Sequence, residues 1–176
     1  MASRPITSDS VNLRPLVELA QAFRETMTLE QMLQRAADTS AEVLWTPRAS
    51  VRLLDDSNTR LITVCRAGTP FHRNPETQFS IGEGLLGWIA QNKKPLRTGR
   101  AEHDPRFVKR EGMKGSMGSF LGVPLLGEKG CIGVLGAVER DEDYFTPKHQ
   151  DLLTLVAAIC EPHIRMARDA RHGLAP

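Results

Sequence analysis

The stretch from Phe79 to Phe107, FSIGEGLLGWIAQNKKPLRTGRAEHDPRF, decides between two interpretations of the chain. It contains a G-x-G-x-x-G pattern, formed by Gly82, Gly84 and Gly87, between a short apolar strand and an amphipathic helix. In a dinucleotide-binding turn, such glycines let bare backbone approach a pyrophosphate. In the other interpretation, they let a strand turn tightly into a helix that covers a small-molecule pocket. The sequence on either side of the stretch has to distinguish the two.

Two helices are predicted ahead of this stretch. Apolar residues at helical spacing predict a first helix from Leu16 to about Thr26. Thr28 and Gln31 have the spacing of a capping box, which predicts that a second helix begins there. Pro47 is expected to stop this second helix. The N-terminal part is therefore a helical entry to a sheet.

Alternating apolar residues then predict β-strands. Ala49 to Leu53 and Leu61 to Cys65 flank a polar turn and are expected to form a β-hairpin. Gly68 to Thr77 is rich in glycine, proline and polar residues, which indicates a surface loop. Phe79 to Ile81 is predicted as a short strand that enters the glycine pattern. The helix after it is about two turns long, because Lys93-Lys94-Pro95 ends it.

The C-terminal half predicts more antiparallel strands and a long helix. A short strand, Leu96–Thr98, is followed by a partly helical crossover loop, Arg100–Met117. A hairpin of strands Ser119–Leu126 and Cys131–Arg140 comes next. The last helix is opened by Thr146 and Pro147, and Pro162 should kink or interrupt it. The fold class that results is α+β with a central antiparallel sheet. One domain is expected at residues 11–170, with a flexible tail at residues 1–10 and a C-terminal tail at residues 171–176.

A dinucleotide-binding fold does not fit this order of elements. Such a fold needs a helix long enough to cross back to a parallel strand, and an acidic residue about 20 positions on that binds the ribose. Glu102 satisfies the spacing from Gly82, but the helix is short and no alternation of strands and helices follows it. The sequence therefore favours the tight turn from strand to helix.

Charge and composition exclude several other classes of protein. Lys and Arg total 23 against 21 Asp and Glu, a net charge of +2, and the chain has no basic stripe, so nucleic-acid binding is not expected. Its first 15 residues lack the charged start and apolar run that a secretory signal is expected to have, and no apolar run reaches the roughly 20 residues that span a bilayer. A cytoplasmic protein without membrane association is expected. The three cysteines, Cys65, Cys131 and Cys160, lie in apolar segments and are expected to be reduced core thiols.

Six short motifs, taken together, resemble the GAF domain family. In chain order they are Ile81-Gly-Glu-Gly-Leu-Leu-Gly-Trp-Ile-Ala, Lys94-Pro-Leu, His103-Asp-Pro-Arg-Phe, Ser119-Phe-Leu-Gly-Val-Pro-Leu, Ile132-Gly-Val-Leu-Gly and Tyr144-Phe-Thr. The resemblance covers the chain from Leu29 to Arg168. It implies a PAS-related fold, with five or six antiparallel strands, the terminal helices on one face and a ligand pocket on the other. It also implies a domain that senses a small molecule, and many such domains dimerise through their first and last helices.

The resemblance, together with the residue types, suggests which side chains line the pocket. Eight residues are expected there: Phe79, Leu86, Trp88, Arg106, Phe107, Ser119, Phe120 and Leu135. The aromatic side chains could instead fill the core, as most aromatic residues at such spacing do. Arg106 follows Asp104-Pro105, so it either binds an anion or stabilises a local turn. The glycine-rich loop Lys109–Gly118 is either a lid or a mobile solvent loop.

A cyclic nucleotide is not the favoured ligand. The family members that bind one are expected to carry an Asn-Lys, Phe, Asp-Glu signature near the last strand and helix. The matching positions read Glu139-Arg140, Phe145 and His149-Gln150, so only the phenylalanine is kept.

Catalysis and metal binding are not favoured either. Free methionine-R-sulfoxide reductases are stand-alone GAF proteins that use pocket cysteines, whereas the three cysteines here lie in predicted strands and the last helix. No catalytic residue is therefore expected. His72, His103, His149 and His163 lack paired metal spacing, so no metal or cofactor is expected, and His149 is better explained by helix capping.

Two functions remain open on the sequence. The first is a sensor that binds a small molecule and relays the change through its terminal helices, as a homodimer, to a signalling partner. The second is a degenerate domain that only dimerises or docks a partner. The dimer seam would use Leu16, Leu19, Phe23, Val156, Ile159 and Ile164, unless these residues cover the sheet of their own chain. No effector domain is recognised in the 176 residues, so the output of the signal stays open.

Overall fold

A six-stranded antiparallel sheet separates two layers of the protein. The computed structural model describes residues 11–68, 74–109 and 115–173, with residues 74–77 described through their backbone. The strands are β1 Ala49–Leu54, β2 Arg60–Arg66, β3 Asn74–Ser80, β4 Leu96–Thr98, β5 Ser119–Gly127 and β6 Gly130–Glu139. Their order in the sheet is β3-β2-β1-β6-β5-β4, and neighbouring strands pair antiparallel. The predicted α+β class with an antiparallel sheet is confirmed.

The helices divide unequally between the two faces of the sheet. They are α1 Arg14–Ala22, α2 Leu29–Leu44, α3 Gly84–Asn92 and α4 Pro147–Gly173, with a 3-10 turn at Ala101–His103. Helices α1, α2 and α4 share one buried cluster with one face of the sheet, while α3 forms a second cluster with the other face. None of the helices in the described part of the chain combines the length and the apolar character that crossing a bilayer requires.

Strand β1 shows how one strand serves both layers. Val51 and Leu53 belong to the cluster under α1, α2 and α4, whereas Leu54 at the end of the strand belongs to the cluster under α3. Between them, Arg52 points to the α3 side, where its guanidinium lies 5.8 Å from the centre of the Phe79 ring. The period of two therefore carries each strand across both clusters.

Side-chain caps begin the two long helices where the sequence predicts them. The backbone N of Gln31 donates to Thr28 Oγ1 at 3.2 Å, and the backbone N of Thr28 donates to Gln31 Oε1 at 2.8 Å, which confirms the capping box. At the start of α4, His149 N donates to Thr146 Oγ1 and Thr146 N donates to His149 Nδ1. The capping role predicted for His149 is confirmed, and the histidine ring takes the place of the usual Glu or Gln.

Three element bounds differ from the prediction. Strand β3 begins at Asn74, inside the predicted loop Gly68–Thr77. Pro75 has no N–H to donate, and β3 tolerates it because an edge strand forms hydrogen bonds with a neighbouring strand on one side only. Helix α2 ends at Leu44, before Pro47, because Trp45 takes the left-handed conformation. Helix α1 ends at Ala22, earlier than predicted.

Pro162 does not interrupt the last helix. Helix α4 runs from Pro147 to Gly173 without a break, so the predicted interruption is wrong. Proline deprives the carbonyl four residues earlier, at Ala158, of its partner. Both Pro162 and Ala158 are exposed, so water can satisfy that carbonyl. The helix also passes the predicted domain boundary at residue 170; residues 1–10 and 174–176, which hold the predicted tails, lie outside the described residues.

The apolar faces of the terminal helices are used within the chain. Leu16, Leu19, Phe23, Val156 and Ile164 are all buried in the helix-side cluster, and Ile159 is half-buried against it. The structure therefore favours the alternative in which these residues cover the sheet of their own chain. A different set of apolar side chains remains exposed in this layer, namely Leu13, Val17, Leu155 and Met166.

Candidate functional site

The three glycines make a close elbow between β3 and α3. Gly82 and Gly84 have φ angles of +83° and +67°, which residues with a side chain adopt only at a cost in free energy. Gly87 packs directly under the preceding strand, where an added methyl group would overlap the carbonyl oxygen of Ser80. The elbow therefore brings α3 against the sheet at a distance that only glycine permits.

Three backbone amides of this elbow have partners within the chain. Gly82 N donates to Gly87 O and Glu83 N donates to Ser80 O, each at 2.9 Å, while Gly87 N donates to Glu83 O. The Glu83 carboxylate in turn accepts from Ser80 N at 2.9 Å. The amides of Gly82, Glu83 and Gly87 are therefore not available to a pyrophosphate, which supports the interpretation of the motif as a tight turn.

Five of the eight predicted lining residues meet on the α3 side of the sheet. Leu86 and Phe120 are buried there, and Phe79, Trp88 and Phe107 are half-buried against the same cluster. This placement makes an apolar wall with three partly accessible aromatic rings. We call these five residues the aromatic wall.

Arg106 lies on the outside of this wall and is occupied by a local interaction. Its Nε and Nη2 donate to the two oxygens of Asp104 at 2.8 and 2.7 Å, and its Cζ lies 4.8 Å from the centre of the Trp88 ring. The hydrogen bond from Arg106 lowers the pKa of Asp104. Of the two roles predicted for Arg106, the structure favours the one in a local turn.

Ser119 and Leu135 lie on the opposite face from the aromatic wall. Leu135 is fully buried in the helix-side cluster, opposite Val51, and Ser119 Oγ donates to Asp141 O at 2.8 Å. Both were expected in the pocket, and both placements are corrected by strand alternation. Since Phe120 faces α3, its neighbour Ser119 must face away, and Gly136 rather than Leu135 faces α3 from β6.

Arg52, a charged residue of this face, was not predicted from the sequence. Its Nη1 donates to Ser50 Oγ at 2.6 Å, while its Nε is buried from solvent and has no hydrogen-bond partner. Burial, and to a lesser extent the charge of Arg66, lowers the pKa of Arg52 to about 10. One signal was present: if Ala49, Val51 and Leu53 face the core, then Ser50 and Arg52 must share the other face of β1.

Comparison with known protein families identifies the chain. The sequence model of the GAF domain matches residues 26–165, which is most of the 176 residues. The chain belongs to the GAF domain family. This match covers the second helix, the whole sheet, α3 and most of α4.

The relatives of this GAF domain include regulatory proteins. It is 27% identical to the Nif-specific regulatory protein of Herbaspirillum seropedicae, over 90% of this chain and 31% of that protein. It is 26% identical to the protein of the same name from Azospirillum lipoferum, over 98% of this chain and 28% of that protein. The chain therefore spans less than a third of the length of either relative.

Solved structures share the fold of this GAF domain. The GAF domain of the Acinetobacter phosphoenolpyruvate-protein phosphotransferase superposes with a TM-score of 0.76 at 22% identity, covering 94% of this chain and 99% of that one. A free methionine-R-sulfoxide reductase from Neisseria meningitidis, in complex with its substrate, superposes with a TM-score of 0.72 at 20% identity, covering 88% and 89%. At these identities the likeness shows the fold alone.

The thiols of this GAF domain are protected from ionisation. Burial raises the pKa of Cys65 to about 11 and that of Cys160 to about 12, and it also raises the pKa of Cys131. Cys65 and Cys160 lie in the helix-side cluster, while Cys131 contacts the cluster under α3 from its edge. A thiolate is the form that attacks a sulfoxide or a disulfide, so these environments disfavour that chemistry.

The histidines have structural contacts or are exposed. His163 stacks on Phe23 with a centroid distance of 4.8 Å, His149 caps α4, and His103 is exposed. Over residues 11–68, 74–109 and 115–173, no group of three His, Cys, Asp or Glu side chains is placed to hold a metal ion. His72 and residues 110–114 of the predicted lid lie outside the described residues.

A separate surface cleft lies away from the aromatic wall. Its volume is about 470 Å³, and it runs between α4 and the hairpins, past Asn58, Lys129 and Cys131. None of the eight predicted lining residues borders it. Two of its basic side chains are already paired, because Arg165 donates to Glu161 and Arg168 donates to the Asp55 carbonyl.

Proposed function

We propose that this protein is a cytoplasmic signal-transduction domain that binds a small molecule on the α3 side of its sheet. Binding changes the conformation of this side, and the change is passed through the sheet to the terminal helices of a homodimer and from there to a signalling partner. The observation that carries the proposal is the division of the fold into two layers. One layer presents the aromatic wall, and the other consists of the helices at both ends of the domain.

The aromatic wall supports ligand binding on the α3 side. A small-molecule site is usually concave and apolar, with a few polar groups that fix orientation. Here the apolar groups are Leu86, Phe120 and the half-buried rings, and the polar groups are Arg52 and Ser50 on β1. Such a surface can enclose a molecule that is partly apolar and partly polar.

The sheet supports a relay between the two layers. The central strands β1 and β6 pair with each other along five residues, from Ala49 opposite Ala137 to Leu53 opposite Gly133. Helix α2 leads into β1, and α4 follows β6, so the two central strands are joined to helices of the other layer. A ligand that shifts these strands therefore acts on the elements that lead out of the domain.

The relatives and the thiols support a regulatory role over an enzymatic one. Both compared relatives are regulatory proteins by name, and the raised pKa of each cysteine disfavours a reductase. We therefore propose that the domain is not an enzyme.

Thermal melting against a panel of compounds tests ligand binding. The panel contains nucleotides, cyclic nucleotides, amino acids and small aromatic acids. Binding to the native state at 100 times the dissociation constant stabilises a protein by about 2.7 kcal/mol, which is a shift of several degrees. At least one compound is expected to raise the melting temperature.

Two tryptophan variants locate the binding site. Trp88→Leu removes a ring of the aromatic wall and is expected to reduce the shift, while Trp45→Leu removes the 69% exposed ring at the end of α2 and should leave it unchanged. If no compound raises the melting temperature, the sensor proposal fails and the domain that only dimerises is favoured. If both variants reduce the shift equally, the ligand does not bind at the aromatic wall.

A further inference from the structure

Arg52 occupies a position that is costly for a cation without a counter-ion. It is held by a central strand of the sheet, between Val134 on β6 and Thr63 on β2. Its Nε is shielded from water and lacks a partner, and Arg66 adds a second positive charge nearby. A buried charge is normally paired, because desolvation otherwise disfavours it.

The acidic groups described near this face are engaged elsewhere. Asp104 is bound by Arg106, and the Glu83 carboxylate accepts from Ser80 N. Among the described residues, Ser50 is the group that accepts a hydrogen bond from Arg52. Within the part of the chain that the structure describes, this guanidinium thus has a neutral hydroxyl, and not a carboxylate, as its hydrogen-bond acceptor.

The free edge of the guanidinium has a defined shape. Nη1 lies on the opposite side of the guanidinium from the Nε–H bond. The hydrogen bond that Nη1 donates to Ser50 therefore does not use the edge formed by Nε and Nη2. Two N–H bonds point in parallel from that edge, which is the geometry that binds a carboxylate through both oxygens.

Apolar groups surround Arg52 on the α3 side. The bare Cα of Gly136 faces the Leu86 and Phe120 side chains and Nη1 of Arg52, which an added methyl group would meet at 3.4, 3.7 and 3.9 Å. The Phe79 ring lies on another side of the guanidinium. A ligand on Arg52 would therefore lie beside the Phe79 ring, which offers a surface for an apolar body.

We propose that the ligand of this domain is a small organic carboxylate, held through both oxygens by the Nε and Nη2 edge of Arg52, with Ser50 orienting the guanidinium. This inference rests on the proposed sensor function and names the chemical class of its ligand. Inorganic phosphate is the competing ligand, because a guanidinium edge also binds phosphate oxygens, and the titration below includes it for that reason.

Matched acids and amides test the charge requirement. The full chain is titrated, at constant ionic strength, with propionate, succinate and benzoate, with the corresponding neutral amides, and with inorganic phosphate. At least one carboxylate is expected to raise the melting temperature, while its amide and phosphate are not. A shift with phosphate that depends on Arg52 overturns the assignment to carboxylates, as does an amide that binds as well as its acid.

Arg52→Met and Arg60→Met test the residue. Arg60 is an exposed arginine on β2 and serves as the matched control. Arg52→Met is expected to weaken carboxylate binding by at least about tenfold, since a bidentate charged pair is lost, and Arg60→Met is expected to leave it unchanged. Gly136→Ala, which has room for its methyl group beside Arg52, should weaken binding without loss of the fold.

The melting temperature without ligand separates a binding role from a structural one. Because Nε of Arg52 is shielded from water and the described residues place no counter-charge on it, Arg52→Met is expected to melt at a higher temperature than the wild type. A lower melting temperature, or failure to fold, means that Arg52 serves the fold and overturns the inference. If neutral compounds bind equally well to Arg52→Met, the sensor function stands and the carboxylate inference fails. If no compound of either panel binds, the proposed function itself fails.

Discussion

Gly87 fixes the approach of α3 to the sheet through the absence of a side chain. Its α-carbon lies against the carbonyl of Ser80 and the backbone of Gly82, so the helix and the strand before it meet without any intervening atoms. The contact is between backbone segments, which cannot move aside as the end of a flexible side chain can. This one residue sets where the aromatic wall lies relative to β1 and β6.

Gly87→Ala is expected to destabilise the protein. The added methyl group overlaps backbone atoms, and overpacking of this kind costs about 1–3 kcal/mol. Urea unfolding measures the loss. Gly173→Ala is the control, because its methyl group meets no atom within 4 Å and should change stability by less than about 0.5 kcal/mol. Equal midpoints for the two variants would contradict the contact described at Ser80.

The buried thiols of Cys65 and Cys160 are expected to resist labelling in the native protein. Burial raises the pKa values of Cys65 and Cys160 to about 11 and 12, so both stay protonated near neutral pH. Labelling with a thiol reagent should detect Cys131 alone before unfolding and all three thiols after it, and Cys131→Ser should remove the native signal. Rapid native labelling of more than one thiol per chain would refute this description.

The same pKa shifts predict a loss of stability in alkali. The folded thiols titrate above the value of 9.0 that an unperturbed thiol has, so the unfolded chain loses these protons first. Their contribution to stability is complete below pH 9 and is lost as the pH rises through about 11 to 12. Melting curves across this range measure it, and Cys65→Ser should reduce the slope.

At the scale of elements, α4 shows a helix that tolerates an internal proline because of where the proline faces. Its buried residues, among them Leu153, Cys160 and Ile164, hold the helix against the sheet and α2. Pro162 lies on the exposed side, where the unpaired carbonyl can reach water. Packing of the buried face thus outweighs the local cost of the proline.

Pro162→Ala is expected to stabilise α4. It restores a backbone donor, and the difference in helix preference between the two residues is up to about 3 kcal/mol. Thermal unfolding should show a higher melting temperature. Pro147→Ala is the matched control, because a proline at the first helical position needs no donor and its replacement should change little. A Pro162→Ala variant that melts at or below the wild-type temperature would show that the proline carries a contact of its own.

Most elements could be predicted from the sequence because their signals are local. The capping residues of α2 and α4 and the alternation in β1 were sufficient to place these elements. The start of β3 could not be predicted, since Asn74 belongs to the strand through its pairing with Thr63 of β2 across the sheet. Pairing with a distant strand produces no recognisable pattern in the sequence of the paired segment.

The candidate site was predicted less well than the fold, for a reason of geometry. Aromatic and other large apolar residues signal burial, and four aromatic residues and Leu86 were found on one face. The face of a strand residue depends on its parity, however, so Ser119 and Leu135 were assigned to the wrong face. Arg52 was missed because strand alternation was not applied to it: its neighbours Val51 and Leu53 face the helices, so Arg52 must face α3.

At the scale of the whole molecule, the helical layer has an inner and an outer apolar surface. The inner surface covers the sheet, as the burial of Leu19, Val156 and Ile164 shows. The outer surface keeps Val17 of α1 and Leu155 of α4 about half exposed, at 48% and 47%. If the protein dimerises through its terminal helices, as we propose, these outer residues form the seam.

Val17→Glu combined with Leu155→Glu is expected to give a monomer. Each change places a charge in an apolar contact, which disfavours association while leaving the buried surface of the helices intact. Light scattering coupled to size exclusion measures the mass. Val108→Glu, at an exposed apolar residue next to the elbow of α3, is the control and should remain a dimer. A wild-type chain that is monomeric at high concentration, or a double variant that still dimerises, would contradict this seam.

The two tryptophans of the protein lie in different surroundings. Trp45 is exposed and ends α2 in the left-handed conformation, whereas Trp88 is half-buried on α3 against the guanidinium of Arg106. Asparagine adopts the left-handed conformation more readily than tryptophan does, so Trp45→Asn suits that position. With that change, the indole fluorescence of the protein comes from α3 alone. Its intensity and wavelength would then give an optical signal for movement of this helix during binding.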